Sequence, residues 1–244
     1  MPKERLDVLL TERGLVESRE KAQRLIVAGK VKVKGHPATK CGNKFDVDVS
    51  IEVEARERFV SRGGEKLEGA FLSFDLNVNG LVCVDAGAST GGFTDCLLQH
   101  GAAKVYAIDV GKGQLHWNLR NDPRVVVMEE TNARYLESRA LPEKPAFAVI
   151  DVSFISLTKV MPAVINVLAD GAGLVTLIKP QFEAGREQVE KGGVVRDPAV
   201  RTSVVEKVKE FGEKQLRLKC LGVCESPLKG PAGNVEFLAY WKKP

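Results

Sequence analysis

The sequence is poor in the residues that build disulfide frameworks and metal centres. Its 244 residues include five cysteines and three histidines. Cys220 and Cys224 lie four positions apart, no Cys-x-x-Cys pair occurs, and the histidines show no ligand spacing. This pattern argues against a secreted disulfide scaffold and against a zinc knuckle. We therefore expect reduced thiols and no bound metal.

Long hydrophobic runs are also missing. No apolar run approaches the ~18 residues that a membrane-spanning helix needs, because Asp170 and several glycines interrupt the longest stretch. The first ten residues, MPKERLDVLL, lack the apolar region and small-residue cleavage site of a secretory signal. We expect a cytoplasmic protein without a membrane partner.

Charge is unevenly placed along the chain. The net charge is +4, and residues 1–64 hold 14 Lys and Arg against 10 Asp and Glu. Residues 65–244 hold 22 of each sign, so the whole excess lies in the first quarter. Such asymmetry predicts a module that binds a polyanion, attached to a neutral domain.

The basic quarter has its own pattern of elements. Residues 5–13 and 19–28 predict two short helices, with Ser18 as the cap of the second. Residues 30–35, KVKVKG, alternate as in a strand with a cationic face, and residues 47–53 alternate again and should pair with it. A solvated charged face is the alternative to phosphate binding. We favour phosphate contacts, and the expected RNA-binding residues are Arg5, Arg19, Lys21, Arg24, Lys30, Lys32 and Lys34.

This block resembles the RNA-binding domain named after small-subunit ribosomal protein four, the S-four domain. The resemblance covers about residues 4–53 and rests on RLD, SREKAQRLIVAG and KVKVKG. It implies recognition of structured RNA through shape and phosphates. We expect an α+β RNA-binding domain over residues 1–54, a linker over residues 55–64, and a second domain over residues 65–244.

A glycine-rich stretch, LVCVDAGASTGGFTD at residues 81–95, organises the second domain. It predicts a buried strand, a glycine turn and the start of a helix, which together suit a nucleotide-type ligand. The spacing G-x-S-x-G-G differs from the dinucleotide motif, which argues against an NAD-dependent oxidoreductase. Asp85 and Asp109 end two successive strands, and this pair favours S-adenosyl-L-methionine. The alternative is an ordinary strand-turn-helix.

Helical and strand-like runs alternate through the rest of the domain. Strands are expected at residues 125–130, 146–151, 173–179, 218–225 and 235–241, and helices at 65–74, 111–121, 156–169 and 199–214. Alternation of this kind predicts an α/β fold with a mainly parallel sheet and helices on both faces.

Four polar residues stand in settings that are otherwise apolar or tightly turned. Lys66 opens the domain, and Asp151 and Lys179 end apolar strands at the edge where α/β sheets bind ligands. Glu236 lies inside the predicted strand VEFLAYW. One such residue alone is most simply a surface charge. Taken together they indicate a site, because a charge in a central strand needs a partner.

The set Lys66, Asp151, Lys179 and Glu236, with DAGASTGGF before it, resembles the Lys-Asp-Lys-Glu tetrad of FtsJ-like ribose 2′-O-methyltransferases. Together with FVSRGGEKL, DVSFISL, LIKPQFEAGRE, KGGVVRDP and GPAGNVEFL, the whole chain resembles the TlyA family. That resemblance implies a class I, Rossmann-like methyltransferase with a seven-stranded sheet. It also implies transfer of methyl from S-adenosyl-L-methionine to cytidine ribose 2′-hydroxyls of ribosomal RNA. Ser89 stands where many methyltransferases have glycine.

The chemistry needs a base for a weakly acidic alcohol. A free lysine has a pKa near 10.4, and a second cation and partial burial both disfavour its charged form. We expect Lys179 to be the general base, with its pKa lowered by Lys66 and by burial. Glu236 is expected to hold Lys66, which orients the ribose and stabilises oxyanion charge. Asp151 is expected to hold Lys179 and to lie near the sulfonium.

The expected cofactor contacts extend beyond the glycine turn. We expect Asp109 at the cofactor ribose and Asn132 at the adenine, although Asn132 fits a simple turn residue equally well. The full set of expected cofactor-binding residues is Asp85, Gly87, Ser89, Gly91, Gly92, Phe93, Asp109, Asn132 and Asp151.

Two alternatives to a methyltransferase come from other functional classes. A membrane-acting protein is one, because the TlyA family also carries the name haemolysin. An RNA-binding or ribosome-assembly factor with an inactive methyltransferase fold is the other. The complete tetrad favours the enzyme. The sequence leaves open the modified nucleotide, the ribosomal subunit and the oligomeric state.

Overall fold

The computed structural model describes residues 2–54, 58–137 and 139–244. The chain divides into two compact units, Met1–Glu57 and Arg58–Pro244. The expected linker of residues 55–64 needs correction, because residues 58–64 belong to the larger unit. Phe59 is 4% exposed in that unit's core, and the first helix of the unit begins at Gly63. The remaining part of the expected linker, residues 55–57, lies outside the described residues.

The smaller unit packs two helices against short strands. Ser18 caps the second helix as predicted, since its hydroxyl accepts from the Lys21 N–H. The expected pairing of two alternating strands is present, but only over residues 51–53 of the second. Leu6, Leu10 and Ile26 are fully buried in the core. The elements are β1 (Lys3–Arg5), α1 (Leu6–Glu12), α2 (Arg19–Val27), β2 (Val31–Val33), β3 (His36–Pro37), β4 (Lys44–Asp46) and β5 (Ile51–Val53).

The larger unit is built on a mostly parallel sheet, as the alternation predicted. Within the described residues it has seven strands in the order β11-β12-β10-β9-β6-β7-β8. Strands β10, β9, β6, β7 and β8 run parallel, and β12 pairs antiparallel with β10 and β11. The strands are β6 (Val82–Ala86), β7 (Lys104–Ile108), β8 (Val125–Met128), β9 (Phe147–Ile150), β10 (Gly173–Ile178), β11 (Lys219–Glu225) and β12 (Phe237–Lys242).

Apolar side chains cover both faces of this sheet. In β10, Leu174 and Ile178 belong to one buried cluster while Val175 and Leu177 belong to another. Successive strand residues point to opposite faces, so this division places helices on the two sides. The helices of the unit are α3 (Gly63–Phe74), α4 (Gly92–Gln99), α5 (Trp117–Arg120), α6 (Met161–Val167), α7 (Pro180–Glu183) and α8 (Pro198–Glu210).

Three predicted helices are shorter than the sequence pattern indicated. The helix expected at 111–121 is confined to α5, because residues 111–116 form a loop in which the Gly111 N–H donates to the Asp109 carboxylate. The segment 156–169 begins with a 3-10 turn, and α6 starts only at Met161, followed by Pro162. The segment 199–214 changes from α8 to a π-helical turn at Phe211–Gln215.

Candidate active site

Two lysines of the predicted tetrad are paired with the tetrad's two carboxylates. Lys66 lies in the first turns of α3, and its Nζ donates to Glu236 Oε2 at 2.5 Å. The two side chains are 11% and 0% exposed. Glu236 lies immediately before β12 and not inside a strand as the alternation indicated. A buried charge is tolerated when it is paired and hydrogen-bonded, and Lys66 and Glu236 provide that partner for each other.

The second pair lies at the ends of neighbouring parallel strands. Asp151 follows β9 and Lys179 follows β10, and Lys179 Nζ is 2.5 Å from Asp151 Oδ1. The two atoms are close without the alignment of a hydrogen bond. The Lys179 ammonium group donates instead to Ser153 Oγ at 3.0 Å. Strand order therefore brings Asp151 and Lys179 together, although 28 residues separate them in the sequence.

A short helix links the two pairs. α7 begins directly after Lys179, and Gln181 in this helix donates from Nε2 to Glu236 Oε1 at 3.1 Å. Each lysine thus has a carboxylate of its own, in the partnership expected from the family resemblance.

The glycine turn and two residues of the tetrad, Lys66 and Asp151, line one cavity of about 460 Å3. Pockets for small ligands commonly measure 300–1,000 Å3. Lys66 and Asp151 are at its wall, together with Phe93 of α4. The lining residues are Ser61, Arg62, Gly63, Lys66, Gly87, Ala88, Ser89, Thr90, Gly92, Phe93, Asp151, Lys229, Gly230 and Pro231.

The glycines of the turn allow backbone segments to approach closely. Gly87 has φ +92°, and a Cβ there would lie 2.2 Å from the Asp151 carbonyl oxygen. A Cβ at Gly92 would lie 2.3 Å from Ser61 Oγ and 2.7 Å from the Gly64 nitrogen. A side chain at either position would push apart the segments that carry Asp151 and Lys66. The start of α4 adds backbone N–H groups that have no helical partner.

Asp85 lies beneath the glycine turn and is not among the residues that line the cavity. It is fully buried, and its Oδ2 accepts from Thr94 Oγ1 at 2.7 Å. Its Oδ1 has no hydrogen-bond partner among the described residues. Burial raises the pKa of the Asp85 carboxyl to about 7, and the nearby Asp151 adds to the effect while Thr94 opposes it. Asp85 therefore has one unsatisfied acceptor beneath the turn.

Asp109 and Asn132 both hold loops near the carboxyl edge of the sheet. Asp109 Oδ2 accepts from the Ser89 N–H at 2.8 Å, and Oδ1 accepts from the Gly111 N–H at 2.7 Å. Ser89 has φ +49°, a left-handed conformation at the position where many methyltransferases have glycine. Asn132 is exposed, and its side chain caps a 3-10 turn by accepting from the Arg134 N–H. Asn132 therefore has the role of a turn residue, which was one of the two roles that the sequence left open for it.

Several residues of the site were not identified from the sequence. Gln181 contacts Glu236, and a Cβ at Gly230 would lie 2.1 Å from Glu236 Oε1, so this glycine makes room for the carboxylate. Asn234 is 2% exposed and joins the loop at Gly193 and Val195 to the segment that precedes Glu236. The motifs KPQFE and GPAGN were visible in the sequence, but the contacts between them depend on the tertiary fold.

In the smaller unit, the basic residues expected to bind RNA have different surroundings. Arg5 and Arg19 converge on Asp7, a buried residue that the sequence analysis did not select. Lys21 is paired with Glu17, and Lys30 with Glu54. Arg24, Lys32 and Lys34 are exposed. Lys34 follows β2 in a left-handed turn, so only Lys32 lies on the strand itself.

Two protein families match this chain, one in each unit. The family described as FtsJ-like methyltransferase matches residues 59–243. The chain belongs to this family. The S4 domain family matches residues 4–46, within the smaller unit.

The relatives cover nearly the whole chain. The 16S/23S rRNA (cytidine-2′-O)-methyltransferase TlyA of Mycobacterium tuberculosis is 48% identical over 238 residues, which is 97% of this chain and 88% of the relative. The membership of the chain in the TlyA family, which the motifs indicated, is confirmed.

Two solved structures are similar in fold to this chain. A structure from Streptococcus thermophilus, described as a candidate hemolysin, has a TM-score of 0.76 at 47% identity and covers 100% of this chain and 89% of its own. The N-methyltransferase NodS of Bradyrhizobium japonicum, solved with S-adenosyl-L-homocysteine, has a TM-score of 0.50 at 16% identity. It covers 75% of this chain and 86% of its own chain, and at this identity it shows the methyltransferase fold alone.

The hemolysin name raises the question of membrane insertion. Among the helices of the described residues, none combines the length and apolar character required to cross a bilayer.

Proposed function

We propose that this chain transfers a methyl group from S-adenosyl-L-methionine to the ribose 2′-hydroxyl of a cytidine in ribosomal RNA. The observation that carries the proposal is the pair of lysine–carboxylate contacts, Lys66–Glu236 and Lys179–Asp151, at the rim of the cavity beside the glycine turn. A buried cation at the cavity wall, Lys66, suits a reaction in which an alcohol oxygen becomes more negative.

The cavity fits the proposed cofactor in volume and in the chemistry of its wall. Gly87 and Gly92 leave no room for side chains, so a ligand in the cavity meets backbone there. Phe93 offers an apolar surface at the wall, and Asp85, which lies beneath the turn and outside the lining, has a buried Oδ1 that lacks a donor among the described residues. Ser89 and Asp109 hold the turn that leads toward the cofactor ribose. Bound S-adenosyl-L-methionine supplies an electrophilic methyl group.

The tetrad residues have separate tasks in this proposal. Lys179 first releases its own proton to solvent, and its neutral amine then accepts the proton of the 2′-hydroxyl as the oxygen–methyl bond forms and the sulfur–methyl bond breaks. Asp151 and Ser153 hold the Lys179 nitrogen in place. Lys66, fixed by Glu236, stabilises the negative charge that develops on the oxygen. The products are the 2′-O-methylated RNA, S-adenosyl-L-homocysteine and one proton, so atoms and charge balance.

The RNA substrate is proposed from two further observations. The smaller unit matches the S4 domain family, and it carries exposed basic residues such as Arg24 and Lys32. The mycobacterial relative is named for cytidine 2′-O-methylation of 16S and 23S rRNA. Ribosomal RNA of either subunit is therefore the first substrate to test.

Methyl transfer with a labelled cofactor tests the proposal. Purified protein is incubated with labelled S-adenosyl-L-methionine and with 30S subunits, 50S subunits or the RNA extracted from each. Label on RNA is then mapped by the resistance of a methylated ribose to alkaline cleavage. We expect label at a cytidine ribose of at least one subunit. Cofactor binding without label on any of these substrates would support the inactive RNA-binding factor and contradict the proposal.

A further inference from the structure

A buried carboxylate in the smaller unit is surrounded by groups expected to bind RNA. Asp7 is the second residue of α1 and is 0% exposed. Its oxygens accept from Arg5 Nε at 2.9 Å, Arg5 Nη2 at 3.0 Å, Arg19 Nε at 2.9 Å and Gln23 Nε2 at 2.8 Å. The hydrogen bonds from Arg5 hold the pKa of the Asp7 carboxyl well below its usual range, with smaller contributions from Gln23 and Arg19.

We propose that Asp7 is a positioning residue that holds Arg5 and Arg19 as a preassembled pair of guanidinium groups for an RNA phosphate. The two arginines come from different elements, since Arg5 ends β1 and Arg19 begins α2. Arg19 lies 12 positions after Asp7 in the sequence, and the single carboxylate of Asp7 contacts both arginines. This inference rests on the proposed RNA substrate and adds a named site to it.

The contacts leave the outer donors of both arginines available. Arg5 uses Nε and Nη2 toward Asp7, and Arg19 uses Nε. Arg5 Nη1 and both terminal nitrogens of Arg19 have no hydrogen-bond partner among the described residues. The side chains are 39% and 54% exposed. A phosphate oxygen that approaches from solvent can accept from these outer N–H groups, while the Nε atoms of both arginines are already held by Asp7.

Charge explains why a buried acid favours this arrangement. Two guanidinium groups repel each other, and without a counter-charge flexible arginines on a surface separate. The Asp7 carboxylate offsets one of the two positive charges, so the cluster keeps a net charge of +1 for the phosphate. Because the rotamers are ordered before binding, less conformational entropy is lost when RNA binds. Arginine suits the task, since its planar group binds a carboxylate and a phosphate at once.

Binding of the full-length chain to protein-free ribosomal RNA from 30S and 50S subunits tests the inference. The variant Asp7→Asn keeps the shape of the side chain and removes its charge. The control Thr11→Val removes a different hydrogen bond at the same residue, from Thr11 Oγ1 to the Asp7 carbonyl. We expect Asp7→Asn to raise the Kd about tenfold and to reduce the slope of log Kd against log salt by about 1. Thr11→Val should change neither quantity.

A double-mutant cycle separates positioning from general stability. If Asp7 acts through the arginines, Asp7→Asn has no further effect on the Kd in an Arg5→Gln, Arg19→Gln background. An equal loss in both backgrounds would overturn the inference, as would an unchanged Kd for Asp7→Asn. Should circular dichroism show that Asp7→Asn unfolds the smaller unit, the cycle between Arg5→Gln and Arg19→Gln decides. Coupled effects are expected from a preassembled pair, and additive effects would contradict it.

The kinetic constants of methyl transfer, kcat and KM for RNA, distinguish this inference from the proposed function. Asp7→Asn should raise KM for RNA and leave kcat unchanged at saturating RNA. If the wild type methylates RNA and Asp7→Asn binds it normally, the inference fails alone. If the wild type binds RNA in an Asp7-dependent way and transfers no methyl group, the proposed function fails and the inference stands. If the wild type binds neither RNA, both fail.

Discussion

At the scale of single residues, the site is defined by buried charges that are paired. Lys66 and Glu236 are 11% and 0% exposed at their side chains, and Gln181 holds the second oxygen of Glu236. Removing one partner of a buried pair leaves an uncompensated charge, whereas replacing both can be nearly neutral. Stability and activity should therefore respond differently to single and double substitution.

Glu236→Gln should lower the free energy of unfolding by about 3–5 kcal/mol, because Lys66 is left buried without its partner. The double variant Lys66→Met, Glu236→Gln should recover most of that stability but no methyl transfer. Urea denaturation and a labelled-methyl assay measure the two properties. Activity recovered along with stability in the double variant would show that this pair is structural only.

Asp85 gives a pH-dependent prediction. Its pKa is raised by burial to about 7, against about 3.9 in an unfolded chain. Ionisation of Asp85 therefore opposes folding: the cost is absent below about pH 4, grows as the pH rises, and is complete above about pH 7. Asp85→Asn removes this cost. Without cofactor, the variant should gain stability over the wild type between pH 5 and pH 8, by at most ~4 kcal/mol. A difference that stays constant with pH would contradict the assignment.

At the scale of elements, the glycine turn between β6 and α4 sets the distance to the end of β9. Gly87→Ala places a Cβ 2.2 Å from the Asp151 carbonyl oxygen, in addition to the strain of φ +92°. The matched control is Gly171→Ala, where φ is +71° and no atom lies within 4 Å of the added Cβ. The control should lose about 1–2 kcal/mol of stability from backbone strain.

Gly87→Ala should lose at least about twice as much as the control, because backbone must also move. It should also weaken cofactor binding, since the turn and Asp151 line the same cavity. Thermal unfolding and calorimetric titration of S-adenosyl-L-methionine compare the two variants. Equal effects of the two substitutions on cofactor affinity would mean that the close approach at Gly87 has no role in the site.

The sequence predicts the order of elements well and the ends of helices poorly. Alternation located every strand of the mostly parallel sheet, because buried strands are short apolar runs between turns. The helix expected at 199–214 changes into a π-turn that the local sequence pattern does not indicate. Gly212 in that turn packs against Trp241 of β12, where an added Cβ would lie 2.6 Å from the ring.

The residues of the site were likewise only partly predictable from the sequence. Lys66, Asp151, Lys179 and Glu236 could be selected as unusual charges, and the family resemblance gave their partnership. Gln181 and Asp7 could not be selected, because a polar residue near a helix start is ordinary in sequence. Their roles come from contacts with residues 55 and 12 positions away. A sequence pattern that spans only a few residues cannot reveal such long-range contacts.

At the scale of the whole molecule, the two units have separate cores, and the proposed function assigns them separate tasks. The smaller unit has 12 Lys and Arg against 10 Asp and Glu and so carries +2 of the net charge of +4, and the larger unit contains the cavity. The fragment of residues 58–244 retains Phe59 and the complete sheet, so it should fold and bind S-adenosyl-L-methionine like the full chain. Its affinity for ribosomal RNA should fall at least ~10-fold and depend less on salt, because phosphate contacts are lost. Full RNA affinity in the fragment would place RNA recognition in the larger unit.

The central claim is that the lysine–carboxylate pairs perform methyl transfer, and the rate of transfer by Lys179→Met tests it most directly. The control is Lys219→Met, an exposed lysine whose strand partner is Lys242, at the opposite edge of the sheet. With RNA and S-adenosyl-L-methionine both shown to bind normally, we expect Lys179→Met to lose at least ~10²-fold in the single-turnover rate and Lys219→Met to keep the wild-type rate. A Lys179→Met enzyme that binds both substrates and retains full turnover would contradict the account.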